Sequence, residues 1–160
     1  MLLLLLRTLL GAIFGAIIQC MMRMVVDTNV FVAALRSADG AAREVLRRWL
    51  SGRYDVCMSL PLFAEYRDLL GRHALFATSP LDQEERQALF HALMAASRLV
   101  DVYFLWRPNL PDEADNHVLE LAVAASAHAI VTHNTSDFRR AELRFPNLAV
   151  LTPAELLSED

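Results

Sequence analysis

The sequence predicts an α/β domain of three layers, in which helices cover both faces of a mostly parallel central sheet. Two observations lead to this class. Short apolar runs alternate along the chain with longer segments of helical periodicity, which is the pattern typical of a parallel sheet. Several of these runs are followed directly by polar or acidic residues, as expected where parallel strands deliver side chains to one edge of a sheet.

The first predicted strand, 24–27, ends in a carboxylate, Asp27, and a short apolar helix follows it. A carboxylate in this position can hold a divalent cation or cap the helix. Thr28 and Asn29 are themselves good helix caps. We therefore expect Thr28 or Asn29 to cap the helix, which leaves Asp27 for metal binding.

The other elements follow from periodicity and from turn residues. Ser59 stands where the helix after the second strand should be capped, and Pro61 suits the first turn of that helix. The run from Val100 to Trp106 predicts a strand at an edge of the sheet. The predicted strands cover 24–27, 54–58, 100–106, 129–132 and 148–151, and the predicted helices cover 30–35, 41–50, 62–70, 82–99, 118–124 and a short segment from 152.

Composition excludes several classes of protein. The chain has 160 residues, so a single domain is expected. All fifteen basic residues are arginine, and the absence of lysine excludes the phosphate-loop nucleotide hydrolases, which need a lysine on the phosphates. The net charge of −4 argues against a nucleic-acid binder that works through bulk positive charge. Two cysteines do not make a disulfide framework or a zinc cage, so a reducing, cytoplasmic setting fits best.

Residues 1–22 form an almost wholly apolar extension. Three interpretations stay open: a misplaced start codon, since methionines stand just before the first strand; a membrane helix, which Gly11 and Gly15 would help to pack; or an extra packed helix. A secretory signal fits poorly. We therefore divide the chain into this extension and a domain over 23–160, with anchoring to the inner membrane through residues 2–22 as the alternative to a cytoplasmic location.

Acidic residues recur at the predicted strand ends and helix entries. Glu65 lies about one turn into the helix after the second strand, and Asp137 follows the fourth strand. The segment 112–115 carries three acids within four residues, and like charges that close repel one another unless a cation relieves them. Carboxylates without a lysine among them select Mg²⁺ or Mn²⁺. One or two such ions activate water for attack on a phosphodiester.

Four stretches of this chain, in this order, resemble the PIN-domain nucleases, in particular the toxin components of bacterial toxin–antitoxin pairs. The resemblance covers about 24–157 and implies a PIN-like fold. It also implies a magnesium- or manganese-dependent endoribonuclease that cleaves RNA, is inhibited by a cognate antitoxin and is often a homodimer. The stretches are Val25-Val26-Asp27-Thr28-Asn29-Val30, Glu65, Asp112-Glu113-Ala114-Asp115-Asn116 and Val131-Thr132-His133-Asn134-Thr135-Ser136-Asp137-Phe138.

The resemblance also carries over site residues. Asp27, Glu65 and Asp115 match the first three acids of the family. Many members have an aspartate where this chain has Asn134, and Asp137 is the nearest substitute. The residues expected to bind metal are therefore Asp27, Glu65, Asp115, Asp137 and, as an extra ligand, Asp112, and those expected to orient these groups or the substrate are Thr28, Asn29, Thr132 and Asn134.

Two other classes of protein share part of this sequence pattern. A phosphatase or phosphoacceptor domain can also open with an aspartate at a strand end, but such folds need a second aspartate two residues on or a later lysine. Asn29 and the absence of lysine argue against both. A degenerate PIN module that binds an antitoxin or RNA without cleaving is the remaining alternative, because the amide of Asn134 supplies no charge.

Overall fold

The computed structural model of the protein describes residues 21–105, 110, 112, 115–141 and 145–159. Nearly all of the predicted extension lies outside these residues, as does Glu113. The division of the chain at residue 22 therefore stays a prediction, although the first strand of the described part begins at Met22.

The strands of the described residues form one parallel sheet in the order β3-β2-β1-β4-β5. This confirms the predicted sheet, and the predicted and observed bounds of four strands agree within two residues. The strands are β1 (Met22–Val26), β2 (Tyr54–Met58), β3 (Arg98–Leu99), β4 (Ala129–Val131) and β5 (Ala149–Leu151).

Helices cover the sheet on both sides, as a three-layer α/β/α fold requires. α5 packs against β1, β2 and β4, whereas α1 and α7 each pack against α2. No helix in the described ranges has the length and hydropathy needed to cross a membrane. The helices are α1 (Thr28–Arg36), α2 (Ala41–Leu50), α3 (Leu60–Gly71), α4 (Gln83–Ala95), α5 (Asn116–Ala124), α6 (Thr135–Arg139) and α7 (Pro153–Glu159), with a 3₁₀ turn at His73–Phe76.

The order of the strands places a topological switch point between β1 and β4. From β1 the chain first builds outward through β2 to β3, and it then returns to the other side of β1 to form β4 and β5. Met24, Val25 and Val26 are fully buried, because helices cover both faces of a central parallel strand. Ligands of open α/β sheets bind outside the carboxyl ends of the strands at this point. The residues that follow β1 and β4 are therefore the candidates for a functional site.

The predicted strand at 100–106 is wrong. The helix that was predicted to reach Leu99 ends at Ala95, and the edge strand is the two-residue β3. Its pairing with β2 ends when the backbone N–H of Val100 donates to the carbonyl of Met58 at 2.8 Å. Beyond Met58 the neighbouring chain turns away into α3, so residues 101–105 have no strand to pair with, and Trp106 lies outside the described residues. The predicted position at a sheet edge is confirmed.

A cluster of three buried aromatic side chains packs next to the carboxyl end of β1. The ring of Phe31 lies 4.7 Å from that of Tyr66, between centroids, and Trp49 meets Tyr66 edge-on at 6.5 Å. All three are fully buried. The hydroxyl of Tyr66 donates to the carbonyl of Val26 at 2.8 Å, so a core residue holds the backbone immediately before Asp27.

Paired charges occupy the opposite, amino end of the sheet. Asp55 on β2 accepts hydrogen bonds from the Nε atoms of Arg23 on β1, at 3.0 Å, and of Arg98 on β3, at 2.9 and 3.1 Å. Arg23 also donates to the carbonyl of Ala125 at 2.9 Å. One carboxylate thus ties three adjacent strands together. Burial raises the pKa of Asp55, but the hydrogen bonds from Arg98 and Arg23 outweigh this, and the pKa lies below its usual value.

We expect Asp55→Asn to destabilise the fold in a pH-dependent way. A carboxyl whose pKa is lowered by folding contributes stability that is complete above its unfolded pKa, near 4, and is lost as the pH falls through the folded pKa. Urea unfolding should therefore show a loss of about 1 kcal/mol at pH 7 that shrinks as the pH falls below about 4.

Asp68→Asn is the matched control, because Asp68 pairs with Arg72 within α3 and both side chains are more than 60% exposed. This variant should change the free energy of unfolding little at either pH. A loss for Asp55→Asn that is equal at pH 3 and pH 7 would contradict the ionic origin.

Candidate functional site

Asp27 follows β1 directly and stands at the N-cap position of α1 with 5% of its surface exposed. Its side chain makes no capping hydrogen bond. The expectation that Thr28 or Asn29 would cap the helix is wrong, because both lie inside α1 and their side chains contact carboxylates instead. The carboxylate of Asp27 is nevertheless not used to cap the helix, as predicted.

Hydrogen bonds from α1 and from the residue after β4 hold Asp27 in one orientation. The hydroxyl of Thr132 donates to Asp27 Oδ2 at 2.6 Å, and Asn29 Nδ2 donates to the same oxygen at 2.8 Å. The Thr132 hydroxyl in turn accepts from the backbone N–H of Asn134 at 3.0 Å, and Asn29 Oδ1 accepts from the backbone N–H of His133 at 3.0 Å. Thr132 and Asn29 therefore join the two strand ends across the switch point.

The other oxygen of Asp27, Oδ1, is held more loosely. The Thr28 hydroxyl lies 3.4 Å from it and donates a shorter hydrogen bond, of 2.7 Å, to Glu65. Burial raises the pKa of Asp27, the hydrogen bond from Thr132 opposes this, and the charge of Glu65 adds to the increase. The fold thus holds a carboxylate in a place where its ionised form is costly.

Glu65 reaches the site from the second turn of α3. Its Oε1 accepts from the Thr28 hydroxyl at 2.7 Å, and its Oε2 lies 2.8 Å from Nε2 of His117 on α5. Burial raises the pKa of Glu65, but the contacts with His117 and Thr28 outweigh it, so that the pKa lies below its usual value. Each carboxylate oxygen of Glu65 therefore has its own partner, and these partners keep the group ionised.

The negative charges of all the other predicted acids act on the pKa of Asp115. Asp115 precedes α5, is partly buried, and makes no capping hydrogen bond with its side chain. Burial raises its pKa to about 6, and the negative charges of four other carboxylates contribute to the increase. These are Asp27, Asp112, Asp137 and Glu65. The end of β1, helices α3 and α6 and the segment before α5 thus place the five predicted acids close enough for the other four to act on Asp115.

Asn134 and Asp137 form a pair at the start of α6. Asn134 Nδ2 donates to Asp137 Oδ2, and the hydroxyl of Ser136 lies within 3.4 Å of both side chains. Asn134 is exposed, whereas Asp137 is partly buried. Asn134 stands where PIN-domain nucleases often have an aspartate, and its side chain contacts Asp137.

The chemistry of these donors fits a hard divalent cation, but their spacing in the structure does not by itself form a metal site. Within the described ranges, no three His, Cys, Asp or Glu side chains are grouped so that they could hold a metal ion. Carboxylate oxygens are the ligands that Mg²⁺ and Mn²⁺ prefer. Burial raises the pKa of Asp115 most, and the neighbouring carboxylates add repulsion that a bound cation would relieve. The chemistry of the acids thus suits the cation.

Two residues beside the site were not assigned a role from the sequence. His117 contacts Glu65 directly, with its Nε2 at 2.8 Å from Oε2. Its position two residues after Asp115, at a helix entry, is the sequence signal that could have indicated this. Tyr66 carries no such signal, because only the folded core shows that its hydroxyl reaches the backbone before Asp27.

Comparisons with known proteins agree with this architecture. A family model described as PIN domain matches residues 23–136, a range that includes Asp27, Glu65 and Asp115. Among solved structures, a chain of the crystal structure of VapBC2 from Rickettsia felis bound to a DNA fragment from their promoter is similar in fold. The TM-score is 0.58, with 17% sequence identity over 82% of this chain and 98% of that chain. A comparison with curated proteins found no match.

We expect Asp115→Asn to stabilise the metal-free protein. An acid whose pKa is raised by folding costs stability once it ionises, so the cost is complete above about pH 6 and vanishes below the unfolded pKa near 4. After allowance for solvent screening of a partly exposed group, the gain should be about 1 kcal/mol at pH 8 and should shrink towards pH 4. Urea unfolding in EDTA measures it.

Glu65→Gln is the control with the opposite sign, because folding lowers the pKa of Glu65. This variant should lose stability under the same conditions. Destabilisation by Asp115→Asn in EDTA at pH 8 would show that the acid has a structural role.

Proposed function

Because this chain belongs to the PIN-domain family of nucleases, we propose that it is a metal-dependent endoribonuclease that hydrolyses phosphodiester bonds of RNA. The observation that carries the proposal is the position of Asp27 at the switch point of the sheet, with Glu65 linked to it through the Thr28 hydroxyl and with the charges of Asp112, Asp115 and Asp137 nearby. A fold gains no stability from such a cluster, so a functional reason for it is required.

We assign Asp27, Glu65, Asp115 and Asp137 as the catalytic acids, with Asp112 as a further metal ligand, and Mg²⁺ or Mn²⁺ as the cation. A bound cation of this kind activates water and stabilises the charge that develops on the phosphate. The residues of the chain hold the geometry. Asp27 is oriented by Thr132 and Asn29, and Glu65 is oriented by Thr28 and His117.

We further propose that the protein is the toxin of a toxin–antitoxin pair and acts in the cytoplasm as a homodimer. The sequence resembles toxin components, and the similar solved structure contains VapBC2 together with promoter DNA. A cognate antitoxin is therefore the expected protein partner. Anchoring to the inner membrane requires that residues 1–22 are translated, and these lie almost wholly outside the described structure.

A second candidate function rests on Asn134. Its amide supplies no charge, and it contacts Asp137, the acid nearest to the place of the missing one. If Asp137 cannot bind a cation from this position, the chain is a PIN module that binds an antitoxin or RNA without cleaving. Acid-dependent affinity for magnesium distinguishes the two candidates.

We expect cleavage of single-stranded RNA by the full chain to require both magnesium or manganese and Asp27. Since a metal-bound transition state is stabilised by several kcal/mol, Asp27→Asn and Glu65→Gln should each lower the rate by roughly 100-fold or more. Gel analysis of a labelled, mixed-sequence RNA measures the rate, and circular dichroism verifies the fold.

Asp68→Asn is the control for Glu65→Gln, because Asp68 is an exposed acid on the same helix. It should keep full activity. Full activity of Asp27→Asn would refute the assigned site, and the absence of both cleavage and metal binding in the unmodified chain would favour the binding module.

We expect Asn134→Asp to bind magnesium about tenfold more tightly than the unmodified chain, because one added carboxylate beside the existing acids contributes on the order of 1 kcal/mol. Calorimetric titration with magnesium measures the affinity. Asn147→Asp, in an exposed loop away from the acids, is the matched control. Equal affinity of both variants would exclude position 134 from the metal site.

A further inference from the structure

A cavity of about 400 Å³ opens beside the acidic edge of the sheet. It is bounded by the start of α3, by the segment after β3 and by the inner side of α5. Its volume lies in the range of small-ligand sites. The side chains that bear on its chemistry are Ser59, Leu60, Tyr103, Leu105, His117 and Glu120.

We propose that this cavity receives a nucleobase of single-stranded RNA, next to the phosphate that is cleaved, and that Tyr103 is the residue on which the base stacks. The inference rests on the proposed function, since it concerns how the same site selects its substrate. No residue of this cavity belongs to the acid set assigned above.

The cavity and the acidic site share a wall. His117 lines the cavity, and its Nε2 lies 2.8 Å from Glu65 Oε2. One imidazole therefore separates the space of the cavity from a proposed metal ligand. A base in the cavity would place its attached phosphate within a short distance of the carboxylates, because base and phosphate of one nucleotide are linked through a single sugar.

The rim of the cavity exposes an aromatic ring to solvent. Tyr103 is 83% exposed, and the apolar side chains of Leu60 and Leu105 are 68% and 67% exposed. Exposed large apolar groups that meet at a concave surface mark binding sites. Proteins that bind single-stranded RNA stack its bases on such rings, and a base offers an aromatic face that an apolar rim accepts.

The charge of the lining favours a base over a phosphate. The lining includes two acids, Asp101 and Glu120, and no arginine among its described residues. A phosphate group would be repelled here, whereas a neutral base is not. The backbone of the RNA would thus follow the metal-binding edge while the base enters the cavity.

Tyr103→Ala tests the inference, because Tyr103 is exposed and its truncation leaves the core intact. With the full chain, magnesium and a labelled mixed-sequence single-stranded RNA, the KM should rise about tenfold while kcat changes little. Tyr103→Phe retains the ring and should restore the KM. Phe104→Ala is the matched control, because Phe104 is 76% exposed and adjacent but does not line the cavity.

A second readout separates stacking from a change in protein shape. RNAs that carry one abasic position, moved along the strand, should lose about tenfold in binding to the Asp27→Asn protein when the missing base is the one that enters the cavity. The loss should be absent when Tyr103→Ala is also present. Fluorescence anisotropy measures this binding without cleavage.

The outcomes are distinguishable. Efficient cleavage with equal KM values for Tyr103→Ala, Phe104→Ala and the unmodified chain would overturn the inference and leave the nuclease intact. A change in the oligomeric state of Tyr103→Ala, or in its affinity for an antitoxin, with unchanged KM for RNA would assign the surface to a protein partner and overturn it as well. No cleavage and no RNA binding by the unmodified chain would overturn the proposed function together with this inference.

Discussion

The hydrogen bond from Thr132 to Asp27 is the contact on which the site depends. It joins the ends of β1 and β4, the two strands between which the direction of chain crossing reverses. Thr132 is fully buried and Asp27 nearly so, so water cannot replace this contact. Asn29 adds a second link between the same strands, and Tyr66 holds the backbone before Asp27. The orientation of one carboxylate is thus determined by the sheet itself.

Much of the fold could be predicted because it rests on periodicity. The apolar runs at β1, β2 and β4 are bounded by turn and cap residues, so the sequence itself marks where these strands begin and end. The prediction of a strand was wrong for the segment 100–106. Its β-branched and aromatic residues suit a strand, but a strand needs a neighbour, and β2 ends at Met58. Local propensity carries no information about where the adjacent strand stops.

In the candidate site, too, some features could be predicted from the sequence and others could not. That Asp27, Glu65 and Asp115 would approach one edge followed from their positions after strands and at helix entries. Which hydrogen bonds they form did not follow. The sequence suggested that Thr28 would cap a helix, yet its hydroxyl donates to Glu65, 37 positions away. Such contacts depend on the relative placement of α1, α3 and α5, which a motif cannot specify.

The two ends of the sheet have opposite electrostatic character. At the amino end, two arginines neutralise Asp55. At the carboxyl end, burial and the charges of four other carboxylates raise the pKa of Asp115. The residues that stabilise the sheet through ion pairs are therefore different from those proposed to bind the metal. A substitution at the carboxyl end can thus alter the chemistry of the site while the ion pairs at the amino end keep the sheet intact.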